Sequence, residues 1–476
     1  MAGGWSRKGR PDERRTTTSR KKEETAERAQ EMWESEVDLK KYTWMCMDKV
    51  RVTAYRDAIF RHCKNKVVLE IGTGAFPILA IFAAQAGAKH VYAIEVNGWI
   101  LKHAQRVIEN TGFKDKISLI RGYSTLVKLP EQVDIVIHEI IGNVATEEGM
   151  CLALHDAQKR FLKNKVRRLS SNSDAEHCGA SERDEMPATT SIPWKVRTMA
   201  VPVRLPEGVQ DWKGDLCEKR GVYKLRWASK NWAVAKPSPV EDIDFHQPIK
   251  LKSSVNAIFT IDEAPKILPG QFLGPNARGQ RARQGLSKKN SSDEFGGNHS
   301  LRNRNRDSEQ TTIRIDGFIL YVEAHTDTES RFSTFATKFE EINEIKIPAF
   351  LEIAGLDETS GPKFSNHNEI SSVQIATNDV KGSASPVAKK ELNASADVDM
   401  PETINWQPVF LRFDKSGRNV RPGDQVTLHC ATDLAAYPCT YSFKAQVIGD
   451  KSHFLKETSM KTDRSFGKQL EVSGKY

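Results

Sequence analysis

Apolar positions along the chain change period near residue 165. Before it, short apolar runs alternate with helix-like segments. Met32, Trp33, Val37, Leu39, Tyr42, Trp44, Met45 and Val50 punctuate a charged background, predicting one or two amphipathic helices, and Val52–Phe60 continues as helix. Lys66–Ile71 predicts a strand, Gly72–Pro77 a turn, and Ile78–Gly87 a helix closed by a glycine. Strand His90–Val96, helix 98–110, strands Ile117–Arg121 and Val133–Ile137, and helix 151–163 complete a β-α-β series. Such alternation builds a parallel sheet with its ligand at the carboxyl ends of the strands. Beyond residue 187 the period becomes that of strands, at Lys195–Arg204, Ala257–Ile261, Ile313–Val322, Val409–Phe413, Val426–His429 and Tyr441–Val447. That half predicts an all-β, barrel-like domain.

Polar, low-complexity stretches divide these parts. Residues 1–31 predict a disordered basic tail, and 166–187 a disordered insert. Residues 32–165 then hold the N-terminal helices and the α/β domain. Residues 188–450 hold the β domain, interrupted by disordered inserts 265–311 and 355–402, with 451–476 left as a C-terminal tail.

Two constellations carry chemistry. Gly72 and Gly74 let the backbone approach a ligand at the end of a strand, and Glu95 ends the next strand, where a carboxylate can accept from a ribose diol. Nicotinamide-dependent and S-adenosylmethionine-dependent enzymes share this arrangement. Pro77 stands where the dinucleotide fingerprint requires a third small residue, which weighs against nicotinamide. About 65 residues after Gly74, His138–Met150 follows a strand and places Glu139 and Glu148 at the two ends of a short loop. Paired carboxylates there can grip a planar cation, and the N–H fork of arginine fits them best. Glu147 lies beside Glu148 and competes for that role.

Composition adds bounds. The formal net charge of +9 permits a nucleic-acid partner without implying one, since much of the excess falls in the tail and inserts. Between Arg278 and Arg306 there are eight Lys/Arg against two acidic residues, so nucleic acid is an allowed partner of that insert. The seven cysteines, Cys46, Cys63, Cys151, Cys178, Cys217, Cys430 and Cys439, form no Cys-x-x-Cys pair. That spacing argues for a reducing compartment and against a structural metal site. No apolar run reaches the ~18 residues of a membrane span. Nucleus and cytoplasm are the expected locations.

The chain resembles the protein arginine N-methyltransferase family. The likeness is carried by Met45–Arg51, Tyr55–Ile59, Val68–Gly74, Phe82–Ala88, Ile94-Glu95, Val133–Glu139 and Glu148–Met150. It continues through Gly317–Val322, Phe332–Thr334 and Ile404–Phe410, covering roughly residues 32–450 without the inserts. It implies a Rossmann-like methyltransferase domain followed by a β-barrel, with S-adenosyl-L-methionine as cofactor. It further implies that Arg51 holds the cofactor carboxylate, Glu95 the ribose, and Glu139 and Glu148 the substrate guanidinium. Met45 and Met150 would shape the methyl-accepting pocket, and Asp48 would pair with a residue of the late Thr-His-Trp motif. Substrates would be proteins with accessible arginines, such as histone tails and Gly/Arg-rich segments, and the chain would form a homodimer.

The chain departs from the family in four places, one of them the N-terminal tyrosine pair, which lacks clear equivalents, with Glu36 where one tyrosine would stand. Asn405 stands before Trp406 where a histidine is usual, and asparagine cannot relay a proton. Ala75-Phe76-Pro77 lengthens the glycine turn, and Ser124 or Thr125 falls where an acidic residue would read the adenine amine. These departures leave a second reading, a catalytically weak scaffold or activating subunit, beside the enzyme. A methyltransferase of another substrate class is a third.

Overall fold

A computed structural model describes residues 39–163, 190–205, 221–225, 228–262, 312–335, 406, 408–412, 417–435, 439–448, 453–461 and 472–474. The expected tail 1–31 and the inserts 166–187, 265–311 and 355–402 lie outside these residues or almost entirely so, as does Asn405.

Two helices open the described chain, α1 (Leu39–Met47) and α2 (Lys49–His62). They are separate because Asp48 caps α2, its carboxylate accepting from the Arg51 amide. Then follow β1 (Val67–Ile71), α3 (Ile78–Gln85), β2 (His90–Glu95), α4 (Gly98–Glu109), β3 (Ile117–Arg121), β4 (Ile135–His138) and α5 (Met150–Arg160). α4 starts at Asn97, whose side chain accepts from the amides of Trp99 and Ile100.

The strands form a parallel sheet in the order β3-β2-β1-β4-β5. Every residue of β1 is buried, as expected of a central strand covered on both faces. The order reverses between β1 and β4, which places the ligand crevice beyond their carboxyl ends. The fifth strand, β5 (Ser191–Ile192), pairs parallel to β4. The α/β sheet thus closes beyond the 166–187 insert, inside a stretch assigned from sequence to the β domain. Two residues are too short for periodicity to register.

The remainder is antiparallel. β6 (Lys195–Val203), β7 (Gly221–Lys224), β8 (Ser238–Asp244), β11 (Gly317–His325) and β13 (Val409–Arg412) form one sheet in the order β7-β13-β11-β6-β8. β12 (Arg331–Ser333) pairs with β11. β10 (Ile313–Ile315) and β14 (Arg418–Val420) make a short ribbon. A second sheet runs β18-β17-β16-β15-β9, from β9 (Lys252–Thr260), β15 (Gln425–Asp433), β16 (Thr440–Val447), β17 (His453–Lys461) and β18 (Val472–Gly474). β17 and β18 correct the expectation of a tail from residue 451. β17 pairs with β16 on one side and with the edge strand β18 on the other, and such backbone ladders are a signal that side-chain alternation does not carry. β15 alternates buried and more exposed positions, so one of its faces packs inward and the other meets solvent.

One apolar core runs through both halves, from Ala54, Ile59 and Leu69 to Phe318, Phe332 and Val426. A smaller cluster surrounds Trp232, with Val201, Ile319, Phe335 and Phe410. α2 is fastened to the turn between β11 and β12. Arg61 makes a two-point contact with Asp327 at 2.7 and 3.0 Å, His62 lies 3.1 Å from the same carboxylate, and the Thr326 hydroxyl donates to the Ala54 carbonyl at 3.0 Å. No helix among the described residues is long and apolar enough to cross a membrane.

Candidate active site

The glycine turn leaves β1 with Gly72 at φ +78° and Gly74 at φ +69°, both in the left-handed region. A Cβ on Gly72 would lie 2.6 Å from Ile140 Cγ2, and one on Gly74 2.8 Å from Tyr42 Cε1. The turn is pinned by Gly72 and Thr73 amides donating to the Ile94 carbonyl at 3.0 and 3.1 Å. Thr73 Oγ1 donates to Glu70 Oε2 at 2.6 Å, and burial pushes the Glu70 carboxyl up to about 7 against that bond. Ala75 and Phe76, the lengthening of the turn, pack with Cys46 and Ile100, so they seat α1 on the turn.

Glu95 ends β2 over this turn. Its carboxylate accepts from the Gly74 amide at 3.0 Å and the Asn97 amide at 2.9 Å, with the Val96 amide a third donor. Burial raises its pKa and these bonds oppose the rise. A carboxylate has about four acceptor sites, so capacity for a further hydroxyl remains.

Arg51 sits in α2, almost fully buried. Its Nη2 donates to the Met45 carbonyl at 2.6 Å, its Nη1 lies 3.6 Å from Glu139 Oε2, and its guanidinium carbon lies 4.9 Å from the Trp406 ring centroid. Burial lowers the Arg51 pKa, but Glu139 and Asp48 outweigh it and keep the cation. The Glu139 carboxyl is pushed up to about 7 by burial, with Arg51 opposing and Asp48 adding. Asp48, expected to pair with the late motif, is fully buried at the head of α2. Trp406 reaches this group from the β domain and stacks on Phe332 at 5.9 Å.

Tyr42 connects the two constellations. Its pKa is driven up by burial first, then by the charges of Glu95, Glu148 and Glu139. The Tyr42 ring lies against Gly74, and the charge of each of the three carboxylates reaches its phenol. Glu147 turns elsewhere: its Oε1 accepts from the Asn143 backbone and side-chain amides at 3.0 and 3.1 Å, and it lies near Glu241 of β8. Glu147 is thus engaged within its own loop, and it is the charge of its neighbour Glu148, with that of Glu139, that acts on Tyr42. Met150 is fully buried at the first turn of α5, and Met45 is half-buried.

In the sequence Tyr42 is one apolar position of a helix and Glu70 part of a matching stretch, with no signal of their place here. Glu241, Thr146, Thr198 and Tyr441 carry no sequence signal, because each lies in an ordinary strand or loop and meets the others only in three dimensions. Among the described residues no group of three metal-ligating side chains gathers, and Cys46, Cys63, Cys151, Cys430 and Cys439 are buried and free.

Comparison with known proteins agrees with this geometry. The family model for ribosomal protein L11 methyltransferase (PrmA) matches residues 43–164. Protein arginine N-methyltransferase PRMT10 of Oryza sativa subsp. japonica is 41% identical over 122 residues, 25% of this chain and 32% of that protein. Protein arginine N-methyltransferase 1 of Schizosaccharomyces pombe is 38% identical over 122 residues, 25% of this chain and 35% of that protein. The probable histone-arginine methyltransferase CARM1 of Oryza sativa subsp. indica is 39% identical over the same length, 25% of this chain and 23% of that protein. The matched segment spans about a third or less of these curated relatives. In overall fold the chain is similar to the Trypanosoma brucei PRMT1 enzyme-prozyme heterotetrameric complex with AdoHcy, at TM-score 0.51 and 15% identity, covering 89% of this chain and 98% of that one.

Proposed function

From a methyltransferase domain of the protein arginine N-methyltransferase type, we propose that this chain transfers methyl groups from S-adenosyl-L-methionine to arginine guanidinium nitrogens in proteins. The observation that carries the reading is one row of groups at the carboxyl ends of adjoining parallel strands: Glu95 accepting from the Gly74 amide at 3.0 Å, and Glu139 held 3.6 Å from the buried Arg51. Glu95 retains acceptor capacity at the carboxyl end of β2, beside the glycine turn, so these residues fit a ribose-bearing cofactor. Arg51 fits the cofactor's carboxylate, and Met45 and Met150 the pocket around the accepted methyl.

The bound cofactor supplies a methyl on a sulfonium centre, open to in-line displacement. Guanidinium is a poor nucleophile, because its lone pairs are delocalised and it stays charged near pH 7. Glu139 and Glu148 draw its charge towards the nitrogens they bind, which leaves the third nitrogen more reactive. They also offset the repulsion between two cations, on the order of 4 kcal/mol at about 4 Å in a partly screened site. Arg51 keeps Glu139 oriented, and its own burial under Trp406 excludes water from that pair. Holding the nitrogen in line lowers the barrier further. As the N–C bond forms and the S–C bond breaks, leaving the cofactor as a thioether, the attacked nitrogen acidifies and its proton can pass to one of the two carboxylates or to water, so a strong dedicated base is not essential.

Histone tails and Gly/Arg-rich segments are the substrates this reading favours, with action in nucleus and cytoplasm and assembly at least as a dimer. Transfer of labelled methyl from the cofactor to such peptides, followed by mass spectrometry of the product, tests it. Glu139→Gln is expected to lower kcat/KM by about 100-fold or more. Undiminished transfer by that variant refutes the clamp, and no transfer to arginine by the purified full chain favours the scaffold or activating-subunit reading.

A further inference from the structure

The loop that presents Glu148 is held from outside its own domain. Thr146, two residues before Glu148, donates from Oγ1 to Glu241 Oε1 at 2.6 Å and lies 2.8 Å from the Tyr441 hydroxyl. Thr198 of β6 donates to the other oxygen of Glu241 and accepts from the Ala145 amide at 2.9 Å. The Cys439 thiol donates to the Thr146 carbonyl at 3.5 Å. Residues 145–146 are thus tied to β6, β8 and the start of β16.

Glu241 is 3% exposed, and no cation pairs with it among the described residues. Burial raises its pKa, the two threonine hydroxyls oppose the rise, and Glu147 adds to it. Cys151 of α5, Cys430 of β15, and Cys439 and Tyr441 at β16 also feel its charge. A buried carboxyl without a cation is a poor source of stability, and an apolar residue of similar size would pack there at less cost. What the network supplies is one defined loop position, since its hydroxyls hold both oxygens in fixed directions.

We propose that Glu241 is a positioning residue: through Thr146 and Thr198 it fixes the loop so that Glu148 stands opposite Glu139, and the β domain thereby sets the spacing of the clamp. The inference rests on reading those two glutamates as the guanidinium clamp. A displacement of about 1 Å in such a pair can cost about 100-fold in rate, so the device belongs to the chemistry as well as to the fold.

Amide hydrogen exchange over residues 141–149 and methyl transfer to a Gly/Arg-rich peptide test the assignment on the full chain. In Glu241→Val, exchange at Ala145 is expected to rise about tenfold and kcat to fall about tenfold, with KM for the cofactor within about twofold. Glu241→Gln keeps an acceptor and a donor where the carboxylate stood, and is expected to return kcat to within about threefold of the native chain. Unchanged exchange and kcat in Glu241→Val overturn the proposal. So does an equal loss in kcat and cofactor affinity that Glu241→Gln does not rescue, because that marks a general loss of structure. If Glu241→Val fails to fold, Thr198→Val removes a single hydroxyl and is read by the same criteria. A native chain that methylates no arginine refutes the clamp reading, while the exchange measurements still decide whether Glu241 holds the loop.

Discussion

Glu139 faces two opposed demands. It must be ionised to bind a guanidinium, yet burial holds its carboxyl up at about 7, with Arg51 only partly restoring the charge. In the free protein the group is neutral below that pH and anionic above it. Because kcat/KM reports the free enzyme, methyl transfer is expected to rise as pH increases through about 7 and then level off. The kcat profile should turn at lower pH, since bound guanidinium favours the anion. Steady-state kinetics across pH 5.5–9, roughly one and a half to two units on either side, check this. A flat kcat/KM over that interval would remove Glu139 from the clamp. The same shift acts on stability in the other direction. The folded carboxyl holds its proton more tightly than the unfolded one, so its contribution is present at low pH and is lost as pH rises towards about 7. Glu70, also pushed up to about 7, follows the same sign.

α2 carries Arg51 to Glu139, and its cap Asp48 joins it to α1, whose Tyr42 lies against Gly74. The carboxylate of Asp48 accepts from the Arg51 amide at 3.3 Å, which ends α1 and starts α2 between adjacent residues. Asp48→Ala is expected to lower stability by about 1–2 kcal/mol through loss of the cap, and Asp48→Asn by less than half as much. Urea unfolding midpoints measure both, and equal losses in the two variants would show that the cap is not what Asp48 supplies. The loop between β4 and α5 has the opposite character. It is irregular, and its conformation depends on hydrogen bonds to strands more than 50 residues away, at Thr198 and beyond.

At the scale of the molecule, the β domain shares a core with the parallel sheet and reaches the site through Trp406. The Arg61–Asp327 contact fastens the two halves at α2. Asp327 is held well below the usual carboxylate range: burial would raise it, but the bonds from His62 and Arg61 and the amides of Ser330 and Glu329 prevail. Its contribution is therefore fully present above the unfolded carboxylate range and is lost as pH falls from there through its own, much lower, folded value. Arg61 is a third exposed, so solvent screens the pair, and Asp327→Ala is expected to cost about 2 kcal/mol. Calorimetric Tm at about pH 7.5 and about pH 2.5, roughly four units above and more than one unit below the unfolded carboxylate value, should show a smaller gap between variant and native chain at the lower pH.

The sequence by itself determined the β-α-β series, because a buried parallel strand needs a continuous apolar run and its crossover helix needs a capped, periodic one. It also determined the turn at Gly72 and Gly74, where the backbone requires positive φ, and the placement of Glu95 and Glu139 at strand ends. The nine-residue step from Glu139 already favours Glu148 over Glu147, and the tertiary structure adds that Glu147 is engaged with Asn143, since neighbours in a loop differ in direction and not in composition. The tertiary structure alone decided that Tyr42 lies against Gly74, that β5 completes the sheet across an insert, and that β17 and β18 extend the β domain. Glu241 was beyond any local pattern for the same reason: a buried carboxyl acquires its role from hydroxyls brought to it by other strands, and chain separation says nothing of that meeting.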